Sequence, residues 1–182
     1  MKESISSYKM FFQSSSLVCL INYNLGVCYR ELKDIKKSNE AFLRYYGLNK
    51  NNITKDLIQL MIDIGDSYLS IREFSLADSV YRIIIDQLEG EQKIYVQYKI
   101  AEVYEKSFKT REAIEEYSNL IGLSPSKNNI RLSGLLKLAE LYKNNNMNKE
   151  ALDTYQLVYN TTDNDKWKKT IEYNMNEIKK IL

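Results

Sequence analysis

The sequence predicts an all-α chain of stacked antiparallel helix pairs, and three observations carry that expectation. A pattern of small residue, aromatic, short gap, small residue, aromatic recurs four times. Gly26-x-x-Tyr29 is followed by Ser38-x-x-x-Phe42, Gly65-x-x-Tyr68 by Ala77-x-x-x-Tyr81, Ala101-x-x-Tyr104 by Ala113-x-x-x-Tyr117, and Ala139-x-x-Tyr142 by Ala151-x-x-x-Tyr155. In every copy the second small residue lies 12 positions after the first. Composition agrees: one proline and 6 glycines in 182 residues leave little room for β-turns or long loops. The chain then closes on Trp167, Ile171, Met175, Ile178 and Leu182, an apolar stripe at three- and four-residue steps, as an amphipathic helix requires.

The pattern has a packing reason. Residues three and four apart share a helix face, so the first small residue admits a close partner helix while the aromatic beside it fills the flanking space. Ala113 and Tyr117 do the same from the second helix. One pair cannot bury both of its apolar faces, so the next must stack on it. Much of the tyrosine count of 15 is explained by such positions, and the tyrosines are assigned to packing rather than to catalysis or base stacking.

In order, residues 1–16 carry Ser4-x-x-x-Tyr8 and Phe11, the signature of a second helix, and are read as a half-repeat. On this reading the chain either is cut from a longer protein or starts with a half-repeat. The first full repeat covers 17–52, with helices over Leu17–Leu32 and Ile35–Leu48. The second covers 53–90, with Thr54 as N-cap, helices to Ser70 and over Glu73–Leu88, and Gly90 at the break. The third covers 91–126, with helices over Glu91–Lys106 and Thr110–Leu123, stopped at Ser124-Pro125-Ser126. The fourth covers 127–163, with Asn144-Asn145-Asn146 as its turn. Residues 164–182 form a capping helix started by Asp163 or Asp165, its lysines on the outer side. Its apolar stripe is assigned to the cap, with docking to another molecule as the less favoured reading.

Chemistry is mostly excluded by what is missing. With no histidine there is no Ser–His or Cys–His pair and no imidazole metal site; no phosphate-binding glycine loop is present. The expectation is no enzyme, no catalytic residues, no metal and no cofactor. The balance of 26 basic and 24 acidic residues gives no general pull towards nucleic acid or membrane, and no stretch is long and apolar enough for a span. Cys19 and Cys28 fall on one helix about 13 Å apart, too far for a disulfide, and are expected as free, buried thiols. A lipoprotein signal ending at Cys19 is disfavoured, because Gln13-Ser14-Ser15-Ser16 interrupts the apolar run and Val18 is bulky.

The four-fold pattern, with Leu120 and the closing Pro125 in the third copy, resembles the tetratricopeptide repeat. The resemblance covers nearly the whole chain and implies a right-handed α-solenoid whose first helices line a concave, protein-binding groove. In that family the ligand-facing positions lie three before the first small residue and one and four after it. The rows implied here are Tyr23, Ile62, Tyr98 and Leu136; Val27, Asp66, Glu102 and Glu140; and Arg30, Leu69, Glu105 and Lys143. The subclass that grips chaperone C-termini places Lys, Arg and Asn in the first two rows. Apolar and acidic residues stand there instead, so that role is not expected. The expected function is a non-catalytic scaffold or adaptor for a basic or amphipathic protein segment, with Asp66, Glu102 and Glu140 as an acidic wall lacking a counterpart within the chain. An RNA-binding helical-repeat protein is the alternative, and it lacks a basic groove. Repeats of 36–39 residues look loosely like cell-envelope members of the family. Location is therefore open: cytoplasmic if the chain is complete, periplasmic if it is excised. Oligomeric state is open too.

Overall fold

A computed structural model describes residues 2–123 and 125–181, with side chains from Ser16 onward. Among the described residues it contains nine α-helices: α1 (Lys2–Glu31), α2 (Ile35–Asn49), α3 (Lys55–Ser70), α4 (Phe74–Ile85), α5 (Gly90–Lys106), α6 (Thr110–Ser118), α7 (Asn129–Asn144), α8 (Asn148–Thr161) and α9 (Asp165–Lys179). They form two compact units, Met1–Val80 and Tyr81–Leu182, and α4 carries the chain from one to the other. Within each unit consecutive helices joined by short turns pack antiparallel, the fold class expected.

All eight small positions of the pattern are buried: Gly26, Ser38, Gly65, Ala77, Ala101, Ala113, Ala139 and Ala151. The crossing of α1 and α2 is close. A Cβ on Gly26 would stand 2.6 Å from Phe42 Cδ1, so only glycine lets the ring lie flat against the helix. Ser38 Oγ then donates to the Gly26 carbonyl at 2.8 Å, which satisfies a hydroxyl that the contact would otherwise strand. Of the second-helix aromatics, Phe42, Tyr81, Tyr117 and Tyr155 are all essentially inaccessible.

The turn inside each pair is equally regular. Lys33, Arg72, Phe108 and Asn146 all adopt φ near 60°, and each lies seven residues after its repeat's first small residue. Lys33 N–H donates to Arg30 O and Asp34 N–H to Tyr29 O; the same two bonds recur at Arg72/Glu73, Phe108/Lys109 and Asn146/Met147. This is a Schellman closure, which satisfies the last carbonyls of the first helix and turns the chain back. No glycine occupies any of the four sites.

Several boundaries differ from expectation. The 16/17 boundary meets no turn, because α1 runs unbroken from Lys2 to Glu31; Gln13-Ser14-Ser15-Ser16 contains no residue that must leave the helix. The side chains of Ser4, Tyr8 and Phe11, on which the half-repeat reading rests, lie outside the described residues, as does Leu182. α6 ends at Ser118 rather than Leu123. There Arg131 of α7, itself buried, donates Nε to Leu120 O at 2.7 Å and Nη1 to Ser126 O at 2.8 Å, and Nη2 to Ile121 O. These carbonyls therefore turn towards a guanidinium instead of continuing a helical ladder. Thr54 caps α3 as expected, but α9 is capped by Asn164, whose Oδ1 accepts from Trp167 N–H, and not by either flanking aspartate. Gly90, at φ 55°, opens α5.

The cysteines are free as expected but not buried: Cys28 is exposed and Cys19 half-buried, because the face of α1 that carries Cys28 turns away from α2. In α9 the stripe residues Ile171, Met175 and Ile178 are buried in the core of the second unit with Tyr155 and Val158 of α8. The stripe is thus a cap over the last pair, and those three side chains are closed to other partners.

Two outcomes test this packing. Ala113→Leu should overfill the α5–α6 crossing, where Ala113 is fully buried, and lower stability by roughly 1–3 kcal/mol in a urea melt. Phe108→Gly should raise stability by about 0.5–1 kcal/mol in the same melt, since φ near 60° strains a non-glycine residue and the ring, 92% exposed, packs on little.

Candidate functional site

The positions implied to face a ligand fall differently in the two units. In the first unit Tyr23, Val27 and Arg30 of α1 are exposed. Tyr23 leans on Phe42 (ring centroids 5.7 Å) and Tyr45 (5.3 Å), and the Arg30 guanidinium lies 4.7 Å over the Phe42 ring. Ile62 and Leu69 of α3 are buried and so belong to the wall rather than to an accessible surface; Asp66 between them is half-buried. A shallow cleft in this unit is lined by Arg30, Ser38, Asn39, Asp63 and Ser67. The buried Asn39 holds it by donating Nδ2 to Ser67 Oγ at 3.2 Å.

In the second unit the rows of α5 and α7 come together. Tyr98 and Leu136 are half-buried, resting on the core without being enclosed by it. Tyr98 meets Tyr117 edge-on at 5.9 Å, and burial raises its phenol pKa, with the negative charge of Glu102 adding to the shift. Around this apolar strip the carboxylates are compensated from within. Lys99 and Lys106 reach Glu102 at 2.8 Å and 2.7 Å, one turn before and one after it on α5. Lys137 of α7 bridges Glu105 of α5 at 3.4 Å and Glu140 of its own helix at 3.8 Å. Burial works to raise the Glu102 pKa, but the hydrogen bonds and charges of Lys106 and Lys99 outweigh it, and the net shift is downward. Lys143 does not face its α7 neighbours across the strip: it donates to Asn174 Oδ1 of α9 at 2.9 Å.

The acidic wall therefore needs correcting. Glu102 and Glu140 do have counterparts inside the chain, and the α5–α7 face is a mixed-charge surface. The lysines responsible were not among the expected site residues. Three of the links were legible: Lys99–Glu102, Glu102–Lys106 and Lys137–Glu140 have the i, i+3 and i, i+4 spacings of intrahelical pairs. The Glu105–Lys137 bridge depends on the two helices lying side by side.

One relation recurs between helices of a pair. The third-row residue lies 12 positions before the second-helix aromatic: Arg30 and Phe42, Leu69 and Tyr81, Glu105 and Tyr117, Lys143 and Tyr155. In the third repeat this gives a part-buried hydrogen bond, Tyr117 Oη to Glu105 Oε2 at 2.6 Å. Burial first, then the charge of Glu105, drives the Tyr117 phenol pKa far upward. In the fourth repeat a lysine stands where the glutamate would be. The buried Tyr155 hydroxyl has no protein partner, and burial, with Glu140 adding a little, pushes its pKa up to about 12. Tyr117→Phe should accordingly cost about 1–2 kcal/mol in a urea melt, because it removes the charge-assisted bond that the fully buried hydroxyl donates. Tyr155→Phe should be neutral or stabilising by up to about 1 kcal/mol, since it deletes an unsatisfied group without changing shape.

No group of three or more carboxylates or cysteines able to hold a metal ion occurs among the described residues, and no described helix is long and apolar enough to cross a membrane. At the level of fold the chain is similar to the nearly identical TPR-like repeats assigned to a kinesin light chain of Podosopora anserina, at 14% identity, 90% of this chain, 85% of that one and a TM-score of 0.58. It is likewise similar to the MamA protein (15%, 79% and 73%, TM-score 0.57) and to MamA from Desulfovibrio magneticus RS-1 (16%, 77% and 73%, TM-score 0.53). Two profiles of the tetratricopeptide repeat match the sequence itself, one over residues 21–52 and the other over 95–126 and 133–161. These spans fall within the first, third and fourth repeats read from the small–aromatic pattern, and the chain belongs to the tetratricopeptide repeat family.

Proposed function

We propose that this chain is a non-catalytic scaffold whose α5–α7 face binds an amphipathic segment of a partner protein. The observation that carries the proposal is the strip of Tyr98 and Leu136, left half-exposed between two helices whose other apolar residues are mostly sealed in the core. Half-exposed aromatic and aliphatic side chains beside oriented charges are the usual composition of a helix- or peptide-binding groove. The flanking ion pairs set the chemistry of the partner. Glu140 is more than half exposed and its bridge to Lys137 is long, so an incoming Lys or Arg can take it over at little cost. Glu102 is held from both sides and serves as a fixed part of the rim. A basic group beside an apolar face on the partner is thus favoured. Single-stranded RNA is disfavoured, because Glu102, Glu105 and Glu140 stand among the lysines it would need.

The test begins with cross-linking and mass spectrometry of the native complex to identify the partner, followed by titration against two variants. Leu136→Ala should weaken binding by about tenfold through faster dissociation. Glu140→Lys should slow association, more at low salt than at high salt, with folding stability changed by no more than about 0.5 kcal/mol. Wild-type affinity in both variants would place the partner elsewhere. Tight, sequence-selective RNA binding at physiological salt would replace the proposal with the RNA-binding reading.

A further inference from the structure

The cleft of the first unit holds hydrogen-bonding capacity that the fold does not use. It has a volume of about 350 Å³ and is lined by Arg30 near the end of α1, Ile35, Ser38 and Asn39 at the start of α2, and Asp63 and Ser67 in the second half of α3. Asn39 is 3% exposed, and its Nδ2 donates to Ser67 Oγ. Its Oδ1 has no partner among the described residues, although a buried amide oxygen ordinarily finds one. Tyr155 Oη is the only fully enclosed side-chain polar atom without a partner among the described residues, so Asn39 Oδ1 is open to the cleft. The Ser67 hydroxyl accepts from Asn39 and keeps its own proton to give. Ser38 is committed elsewhere, to the Gly26 carbonyl.

Two opposite charges line the same space without meeting. The Arg30 guanidinium lies 4.7 Å over the Phe42 ring, which holds it in place and leaves its N–H groups free to donate in their own plane. Asp63 accepts from Gln59 Nε2 through Oδ1 at 2.9 Å, and neither Arg30 nor Asp63 forms an ion pair with a described residue. The cleft therefore sets donors, from Arg30 and Ser67, beside acceptors, from Asn39 and Asp63, with no net charge. We infer that it is a binding site for the carboxamide of a glutamine or asparagine side chain on a protein partner. The C=O of that group accepts from Arg30 or Ser67, and its NH2 donates to Asn39 Oδ1 and Asp63. A carboxylate would set acceptor against acceptor at Asn39 and like charge beside Asp63; an ammonium would lie beside Arg30 and leave its donors unused. A main-chain amide has both groups but no methylenes to lay on Ile35, which lines the cleft and is 37% exposed. The cleft is shallow, so a free small amide gains little there, and the carboxamide serves as one anchor of a larger chain. The site lies in the first unit and does not depend on the α5–α7 reading.

Titration of the full isotope-labelled chain, followed by NMR, tests the site with the N-acetyl, N-methylamide forms of glutamine, glutamate, lysine and alanine. The glutamine probe should shift the Asn39 side-chain NH2, the Arg30 Nε–H and the Ser67 amide, with a Kd of about 1 mM. The other three probes should bind at least about tenfold more weakly. Arg30→Met keeps an aliphatic stem over Phe42 and removes the donors, and Asp63→Ala removes an acceptor. Both positions are exposed, so the fold is retained, and each variant should weaken the glutamine probe by about fivefold or more. Equal binding of the alanine probe would assign the cleft to main-chain amides, and preference for the glutamate or lysine probe would make it a charge-binding site; either result overturns the inference. So would unshifted resonances of Arg30, Asn39 and Ser67 at about 20 mM glutamine probe, or variants that bind that probe as well as the wild type does.

Discussion

The structure depends on how closely two helices can approach at one point in each pair. Where Gly26 meets Phe42 the approach excludes even a methyl group, and in the other pairs alanine or glycine stands at the crossing with no measurable exposure for Ala77, Ala101, Ala113, Ala139 and Ala151. That closeness fixes the rest. It brings the second-helix aromatic under the first helix, so that Phe42, Tyr81, Tyr117 and Tyr155 become the largest core groups. It also fixes how far the chain travels before it returns, which is why all four turns place their left-handed residue at the same step. The strain of a non-glycine there, on the order of 1 kcal/mol, is tolerated because two backbone bonds and the packing below it depend on that geometry.

Repetition of backbone did not bring repetition of surface. The residue twelve positions before the buried second-helix aromatic is Arg, Leu, Glu or Lys in successive repeats, and three of the four show different physics. Arg30 lies over a ring, Glu105 accepts a phenol hydrogen, and Lys143 turns to α9 and leaves the Tyr155 hydroxyl alone. The same freedom appears along the first helices, where α5 and α7 set lysines beside glutamates. In the proposed scaffold role, such a face recognises a partner through its apolar strip and the exchange of ion pairs. Net charge contributes little, and the near balance of the whole chain is consistent with that.

The helix pairs were legible because their signal is periodic and local. Small and aromatic residues at fixed steps reflect a packing need that every repeat shares, and Thr54 as a cap needs only its own neighbours. The end of α6 was misjudged for the opposite reason. Its last carbonyls are taken by Arg131 from the next helix, and no local propensity reports a donor that arrives from eleven residues away. The aspartates at 163 and 165 had the right chemistry for capping α9, but Asn164 occupied the position whose backbone leaves the helix.

The sequence alone determined the fold class and the small residues that are buried in each pair, since those follow from side-chain size and spacing along a helix. Only the tertiary structure decided which of the groove positions stay accessible. Ile62 and Leu69 sit in the same rows as Leu136 and Lys143, yet they are buried, because accessibility depends on what packs alongside a helix and not on a residue's place in the repeat. It also decided that Glu105 of α5 is bridged by Lys137 of α7, because that pair exists only once two helices distant in sequence lie side by side. It further decided that α1 keeps one apolar face turned to α2 and the other to solvent: the sequence is apolar on both sides there, and only the position of α2 distinguishes them.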